Sequence, residues 1–121
     1  MNKRAIGTDM EERAIRFLEQ QGVHIMEKNF RNRQGEIDVI GYHQQCLVFV
    51  EVKYRSNNKM GSALEAVDIR KQRQICKVAD YYRYVHHKGD DTMVRYDVVA
   101  IQGEDIKWIQ NAFPHIYTRW H

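Results

Sequence analysis

The stretch from Gly35 to Arg55 reads GEIDVIGYHQQCLVFVEVKYR, and it decides the fold by predicting two strands joined at Gln44-Gln45. It is rich in the β-branched and aromatic residues that strands favour. A turn at the two glutamines places Val39 opposite Val50 and keeps the apolar positions in register on both faces. The second strand is apolar on both faces until Glu51, so we expect it at the centre of a sheet.

Four charged residues interrupt this apolar hairpin. The same register places Asp38 opposite Glu51 and Glu36 opposite Lys53, all on one face. Opposed carboxylates cost stability unless one is protonated or a cation lies between them. A divalent metal explains the pair, and hard oxygen donors suit Mg²⁺ or Mn²⁺. We therefore expect Asp38 and Glu51 to be metal ligands. Lys53 would orient or activate the attacking water, or stabilise charge developing on a phosphate.

Surface salt bridges at the polar end of a sheet are the alternative interpretation of these charges, since such pairs are common and stabilise by only ~0–1 kcal/mol. The metal interpretation is favoured because costly charges within an apolar strand tend to mark function. Within it, Glu36 is either an outer ligand or the ion-pair partner of Lys53, and we favour the ion pair.

The rest of the chain predicts a single αβ domain over residues 1–121. We expect an α+β (mixed α/β) fold with a central sheet of about five strands flanked by helices, an antiparallel meander of three strands, and a crossover helix that returns the fourth strand beside an inner one. The predicted helices span about Thr8 to Gln21 and Ser62 to His86. The predicted strands span Val23 to about Arg31, Glu36 to Tyr42, Leu47 to Tyr54, Met93 to Ile101, and around Ile106 to Ile109.

Composition excludes several classes of protein. Since 43% of the residues are hydrophobic, we do not expect most of the chain to be disordered. The longest apolar run, Cys46 to Val50, is far shorter than the roughly 20 residues that span a bilayer. Cys46 and Cys76 form no CxxC motif. We therefore expect a cytoplasmic protein, neither membrane-bound nor secreted.

Positive charge is concentrated in one part of the chain. The net charge is only +3, yet between Lys53 and Lys77 seven basic residues face two acids. This local excess is typical of a surface that binds phosphates. We predict that Arg55, Lys59, Arg70, Lys71 and Arg73 bind nucleic acid. Lys71 could alternatively reach the metal site, although a solvated lysine is the favoured interpretation.

These motifs resemble the PD-(D/E)XK nuclease core and, more closely, the small bacterial YraN family of predicted endonucleases, which are distantly related to archaeal Holliday junction resolvases. The resemblance implies a restriction-endonuclease-like core, metal-dependent cleavage of branched or structured DNA, Asp38 and Glu51 as ligands, Lys53 as catalytic lysine and Glu11 as a further acid. Ile37 stands where the pattern usually has proline. The matching motifs are Gly35-Glu36-Ile37-Asp38-Val39-Ile40, Phe49-Val50-Glu51-Val52-Lys53-Tyr54-Arg55, Gly7 with Glu11-x-x-Ala14, Asn29-x-Arg31, Lys71 with Ile75 and Ala79, Arg95-x-Asp97-Val98-Val99 and Asn111-Ala112-Phe113.

Two further features have competing interpretations. Thr8 and Glu11 have the spacing of a capping box at a helix start, which competes evenly with a site role for Glu11 until the resemblance favours the site. The tyrosines at positions 81, 82 and 84 offer stacking surfaces in principle, but core packing with a polar tip at the surface explains them without nucleic acid. Asp97 is expected to form a structural pair with Arg95.

Three functions remain open at this stage. The first is a Mg²⁺- or Mn²⁺-dependent endonuclease that hydrolyses phosphodiester bonds in DNA. The second is a catalytically inactive nucleic-acid-binding module, and the third is a protein-interaction scaffold on the same fold. Resolving a junction needs two active sites, so a symmetric homodimer is expected if junctions are the substrate.

Overall fold

A computed structural model of the chain describes residues 3–55, 67–89 and 91–117. Two helices and five strands lie within these ranges, and the strands form one sheet in the order β1-β2-β3-β4-β5. Neither helix is long and apolar enough to span a membrane. The elements are α1 (Lys3–Gln20), β1 (Val23–Asn32), β2 (Gly35–His43), β3 (Cys46–Arg55), α2 (Ile69–Val85), β4 (Val94–Gln102) and β5 (Asp105–Phe113).

The sheet is mixed, with β3 at its centre. The first three strands form an antiparallel meander, β4 returns parallel to β3, and β5 pairs antiparallel with β4. A parallel neighbour requires a crossover connection, which contains α2. The predicted α+β fold with a restriction-endonuclease-like core is confirmed, as are the meander and the central position of β3.

The two helices pack on opposite faces of the sheet. Side chains alternate along β3, so Val48 and Val50 join the cluster that contains Ala14 of α1, whereas Leu47 and Phe49 join the cluster that contains α2. Both clusters contain fully buried side chains. The central strand is therefore covered on both sides, which explains why its sequence is apolar at consecutive positions.

Helix α1 begins earlier than its sequence pattern predicts. It starts at Lys3, so Thr8 lies inside the helix and the alternative interpretation of Thr8 and Glu11 as a capping box is wrong. Threonine within a helix cannot satisfy the free N–H groups of the first turn. The predicted end is confirmed, because the helix stops at Gln20 and Gly22 adopts a left-handed φ of 94°.

Helix α2 begins at Ile69, where the Asp68 carboxylate accepts a hydrogen bond from the Lys71 backbone N–H at 2.9 Å. The part of the predicted helix at 62–66 lies outside the described residues. The helical spacing of the apolar residues Ile75, Val78, Ala79, Tyr82 and Val85 predicts one buried stripe, which is confirmed through Tyr82, but Val85 is 41% exposed. Val85 ends the helix, one turn beyond the last residue of α2 in the core.

Candidate functional site

Strands β2 and β3 part at the position where the acidic residues begin. Their paired positions end at Val39 and Val50. Beyond this pair, an oxygen of the Asp38 carboxylate accepts a hydrogen bond from the Val52 backbone N–H at 2.8 Å. A side chain has thus replaced the strand-to-strand bond. The predicted continuation of the backbone ladder, with Asp38 opposite Glu51, is wrong, although both carboxylates still lie close together.

Three carboxylates converge beside this opening. Glu11, Glu36 and Asp38 each present an oxygen within 4.8 Å of the others. Glu11 is brought there by α1, because Ala14 and Leu18, three and seven residues further along, face the sheet. Burial raises the pKa of Glu11, as do the neighbouring charges of Asp38 and Glu36. The negative charges of these three side chains therefore repel one another.

Glu51 approaches the same opening from β3. Its residue is 7% exposed, and its Oε2 atom has no hydrogen-bond partner among the described residues. Burial, followed by the charge of and a hydrogen bond to Asp38, raises the pKa of Glu51 to about 9. This carboxyl group therefore holds its proton more tightly than an ordinary glutamate does. Glu11, Glu36, Asp38 and Glu51 are called the acidic cluster below.

Two lysines lie beside the acidic cluster. The Lys71 Nζ atom is 3.9 Å from Glu51 Oε2, too far for a hydrogen bond but close enough for an ion pair. The favoured interpretation of Lys71 as a solvated lysine is therefore wrong: the first turn of α2 aims it at β3. Lys53 is two residues beyond Glu51 on the same strand, half-buried, and its charge opposes the rise in the pKa of Glu51.

Glu36 has a different partner from the one expected. Its Oε2 lies 3.5 Å from Nε of Arg31 on the neighbouring strand, so the predicted pairing with Lys53 is wrong. The register of β1 and β2 explains the exchange, because Arg31 is directly opposite Glu36. The two-residue spacing of Glu36 and Asp38 was the available signal that both belong to one site.

Asn29 is a site residue that sequence reasoning on its own does not find. It lies in β1 with a left-handed φ of 54°, which is uncommon for a residue other than glycine. A hydrogen bond from its side chain opposes the rise in the pKa of Glu11. No composition or periodicity signal marks this residue; only its place in the motif with Arg31 does.

The predicted nucleic-acid-binding residues separate into groups. Arg70 and Arg73 are exposed and lie together, whereas Arg55 ends β3 and donates a hydrogen bond to the Tyr54 carbonyl. Lys59 lies outside the described residues. The two arginines line a cleft of about 380 Å³, called the basic cleft below. The residues that line the basic cleft are Arg33, Gln34, Arg70, Arg73, Gln74 and Lys77.

Asp97 forms a buried network away from the acidic cluster. It is 1% exposed and accepts hydrogen bonds from the Arg95 guanidinium, the Trp108 indole N–H and the Asn111 backbone N–H. The expected structural pair with Arg95 is confirmed. A cavity of about 760 Å³ adjoins this network at the turn between β2 and β3, at the opposite end of the hairpin from Asp38. Arg95, which lines this cavity, already donates hydrogen bonds to Asp97.

The acidic cluster is a chemically uniform donor set. Carboxylate oxygens are the ligands that Mg²⁺ and Mn²⁺ prefer, and the site contains neither cysteine nor histidine among the described residues. The group that fits such a set is a hard divalent cation. Asp38 is central to it, because it contacts both the Glu11 and Glu36 side of the opening and the Glu51 side.

Comparison with known proteins gives a consistent family. Residues 10–101 match the model of the uncharacterised protein family UPF0102. A UPF0102 protein of Lachnoclostridium phytofermentans is 44% identical over 113 residues, which cover 93% of this chain and 96% of the relative. UPF0102 proteins of Fusobacterium nucleatum and Vibrio vulnificus are 40% and 43% identical, and each match covers 92% of this chain and 92% or 93% of the relative.

Proposed function

Because this chain belongs to the protein family UPF0102, whose name assigns no activity, we propose a function from its own site: a divalent-metal-dependent endonuclease that hydrolyses phosphodiester bonds in DNA, with branched or structured DNA as the substrate. The fold provides a scaffold on which such chemistry is known, but a fold alone assigns no function. The residues of the acidic cluster are therefore the basis for the proposed activity.

One observation carries the proposal: the buried Glu51 Oε2 atom has no hydrogen-bond partner among the described residues and lies beside Asp38. A buried carboxylate oxygen that has no hydrogen bond and lies next to a second carboxylate opposes folding through desolvation and repulsion, and Lys71 at 3.9 Å offsets only part of this cost. A site that binds a cation gives this arrangement a use. The convergence of Glu11 and Glu36 on Asp38 supports the same interpretation.

Asp38 and Glu51 would hold the metal, with Glu11 and Glu36 as further oxygen donors. A bound Mg²⁺ or Mn²⁺ ion supplies Lewis acidity toward a phosphate oxygen and lowers the pKa of a coordinated water. The hydrogen bond from the Val52 N–H fixes the Asp38 carboxylate, so its free lone pairs have a defined direction before any ligand arrives.

The two lysines would have different roles. Lys53, half-buried beside Glu51, would orient the attacking water or donate to a phosphate oxygen as negative charge develops on it. Lys71 lies 3.9 Å from Glu51 and balances part of the charge of the cluster. We therefore expect Lys53 to act on the reaction and Lys71 to hold Glu51 in its ionised, ligand-competent form.

DNA is the proposed substrate because the basic cleft is on α2, the helix whose first turn also presents Lys71 to Glu51. Phosphate contacts from such side chains position a nucleic acid without reading its sequence. The preference for branched or structured DNA rests on the family resemblance. A junction would then require a second copy of the chain to provide a second site.

The decisive experiment measures cleavage of single-stranded, duplex, flap and four-way-junction DNA by wild type and Asp38→Asn, with Mg²⁺, with Mn²⁺ and with a chelator. Wild type should cleave only with metal, and Asp38→Asn should lose at least about 100-fold in rate, because it removes a charged ligand and the residue that joins both sides of the cluster. Asp105→Asn removes an exposed carboxylate from β5 and should cleave like wild type.

Melting temperatures of the same proteins provide a readout independent of cleavage. Metal should raise the melting temperature of wild type, since a ligand that binds only the folded state stabilises it. It should leave Asp38→Asn nearly unchanged. Absence of both cleavage and metal stabilisation in wild type would refute the nuclease and leave a nucleic-acid-binding module or a scaffold, which salt-sensitive DNA binding would tell apart.

A further inference from the structure

Helix α2 presents an exposed stripe of side chains that neither the core nor the acidic cluster uses. Residues three, four or seven positions apart share a helix face. The stripe consists of Arg70, Arg73, Lys77, Tyr81 and Tyr84, which are all exposed. It runs about 20 Å along the helix, at about 1.5 Å per residue. Its start adjoins Lys71, so the stripe leads away from the acidic cluster.

The first half of the stripe is a concentrated positive surface. Its three cations line the basic cleft together with Arg33, which the turn between β1 and β2 presents from the other side. Two glutamine amides complete the lining, and none of the described residues that line it is acidic. Four cations facing one cleft without a carboxylate among them attract a polyanion, and several phosphates in a row satisfy them better than one.

The second half of the stripe is aromatic. Tyr81 is 48% exposed and Tyr84 is 72% exposed, whereas Tyr82 between them is buried in the core. The core-packing interpretation of the tyrosine run is therefore confirmed for Tyr82, and the rings of Tyr81 and Tyr84 are accessible. The Tyr81 ring is stacked on Phe30 of β1, with ring centres 6.1 Å apart, so one of its faces is supported by the protein. A supported, half-exposed ring is a surface on which a flat group can stack.

We propose that the stripe of α2 and the basic cleft form a binding track for a single strand of nucleic acid, with phosphates against Arg33, Arg70, Arg73 and Lys77 and bases against Tyr81 and Tyr84. Cations that follow the backbone, combined with aromatic rings that stack on bases, are the two components of single-strand recognition. A duplex shields its bases inside the helix and gains only the cation contacts. The aromatic half of the stripe therefore selects unpaired strands.

This inference rests on the proposed function and specifies its substrate. A strand bound on the track would reach the acidic cluster at the start of α2, where Lys71 meets Glu51. The preferred substrate would thus be DNA with an unpaired strand next to the cleavage point. Flaps have such strands, whereas a continuous duplex and a fully paired four-way junction do not.

The test measures binding in the presence of a chelator, so that cleavage does not contribute. Fluorescence anisotropy compares a labelled strand of about 12 thymidines with an abasic strand and with a duplex of equal length. Wild type should bind the thymidine strand at least tenfold more tightly than the abasic strand. The Tyr81→Ala/Tyr84→Ala variant should lose that tenfold preference while binding the abasic strand and the duplex like wild type.

The cation half of the track is tested by salt dependence. Arg33→Ala/Arg73→Ala should weaken binding to all three probes, and should reduce the slope of log affinity against log salt for single strands by about 1.4, or about 0.7 for each phosphate contact. Arg16→Ala/Lys107→Ala removes two exposed cations outside the cleft and should change affinity less than twofold. Tyr117→Ala is the matched control for the tyrosines, since Tyr117 is 85% exposed.

The outcomes separate the track from the nuclease. Equal affinity of wild type for thymidine and abasic strands, or tyrosine variants that bind like wild type, would overturn the track even if wild type cleaves DNA. Loss of cleavage in Asp38→Asn with unchanged strand binding supports both proposals. Selective strand binding by a wild-type protein that never cleaves would refute the nuclease and leave the track in place.

Discussion

Two buried acidic sites in this small protein show opposite ways of treating a carboxylate. Asp97 is 1% exposed and accepts hydrogen bonds from a guanidinium, an indole and a backbone amide. Glu51 is 7% exposed, has one oxygen without a hydrogen bond among the described residues, 3.9 Å from Lys71, and lies beside another carboxylate. Burial is similar at the two sites, so the difference lies in the partners.

Burial of an acidic side chain therefore does not by itself indicate function. Asp97 has the partners that a structural charge needs, and its network ties β4 to β5. At the acidic cluster, burial and the neighbouring charge of Asp38 instead raise the pKa of Glu51. The charge of Asp97 therefore has its partners in the fold, whereas the acidic cluster brings like charges together.

The largest loss of stability is expected from a substitution of Asp97, whose hydrogen-bonding partners are all in place. Asp97→Asn should lower the free energy of unfolding by about 3–5 kcal/mol, because it leaves the Arg95 guanidinium without its counter-charge and places an amide against the donors of Trp108 and Asn111. Urea denaturation with and without Mg²⁺ measures the loss, which should be the same in both. A loss that depended on metal would contradict the structural role of Asp97.

A smaller change in stability, which depends on pH, is expected at Glu51 in the acidic cluster. The pKa of Glu51 is raised from 4.5 to about 9, so the folded protein binds a proton that the unfolded chain releases. The free energy of unfolding of the metal-free protein should therefore fall as the pH rises through this window. A shift of even one pH unit corresponds to about 1.4 kcal/mol, which sets the least fall expected.

Glu51→Gln should remove most of this pH dependence, because the glutamine has no proton to lose. Stability curves between pH 5 and 9, in a chelator, compare the two proteins. Added Mg²⁺ should flatten the wild-type curve by stabilising the ionised carboxylate and should leave the variant unaffected. A variant that kept the wild-type slope would show that another group is responsible.

The smallest effect is expected at the exposed rim of the acidic cluster. Arg31→Ala removes the partner of Glu36, but the arginine side chain is 75% exposed and the carboxylate 37% exposed. Such pairs contribute at most about 1 kcal/mol, so the melting temperature should change little. A large loss of stability on thermal unfolding would mean that the rim resembles the Asp97 site more closely than the comparison implies.

Local patterns predict much of this fold. The alternation of apolar residues and the Gln44-Gln45 turn were sufficient to pair Val39 with Val50, and the run of apolar residues placed β3 at the centre. These features depend on residues close in sequence, and the side-chain period of a strand leaves little choice of register when both faces are buried.

The geometry of the site was harder to predict from the sequence, because it depends on contacts between residues that are far apart in the chain. The pattern could not show that Asp38 would take the Val52 N–H and end the ladder, since the alternative was one more regular pair. Lys71 reaches Glu51 only because α2 crosses the sheet with its first turn at β3. The site roles of Glu11, Asp38, Glu51 and Lys53 stay predictions.

The parallel pairing of β3 with β4 has a consequence for the order of folding. Leu47 and Val94, which pair at the start of this ladder, are 47 positions apart, whereas the meander and the β4–β5 hairpin join neighbouring segments. Closing a long loop is slow because its entropy is lost before its contacts form. We therefore expect the meander, with every acid of the cluster except Glu11, to form before the crossover brings Lys71. Three of the four acids of the site would then assemble, together with Arg31 and Lys53, before the ion pair between Lys71 and Glu51 can form.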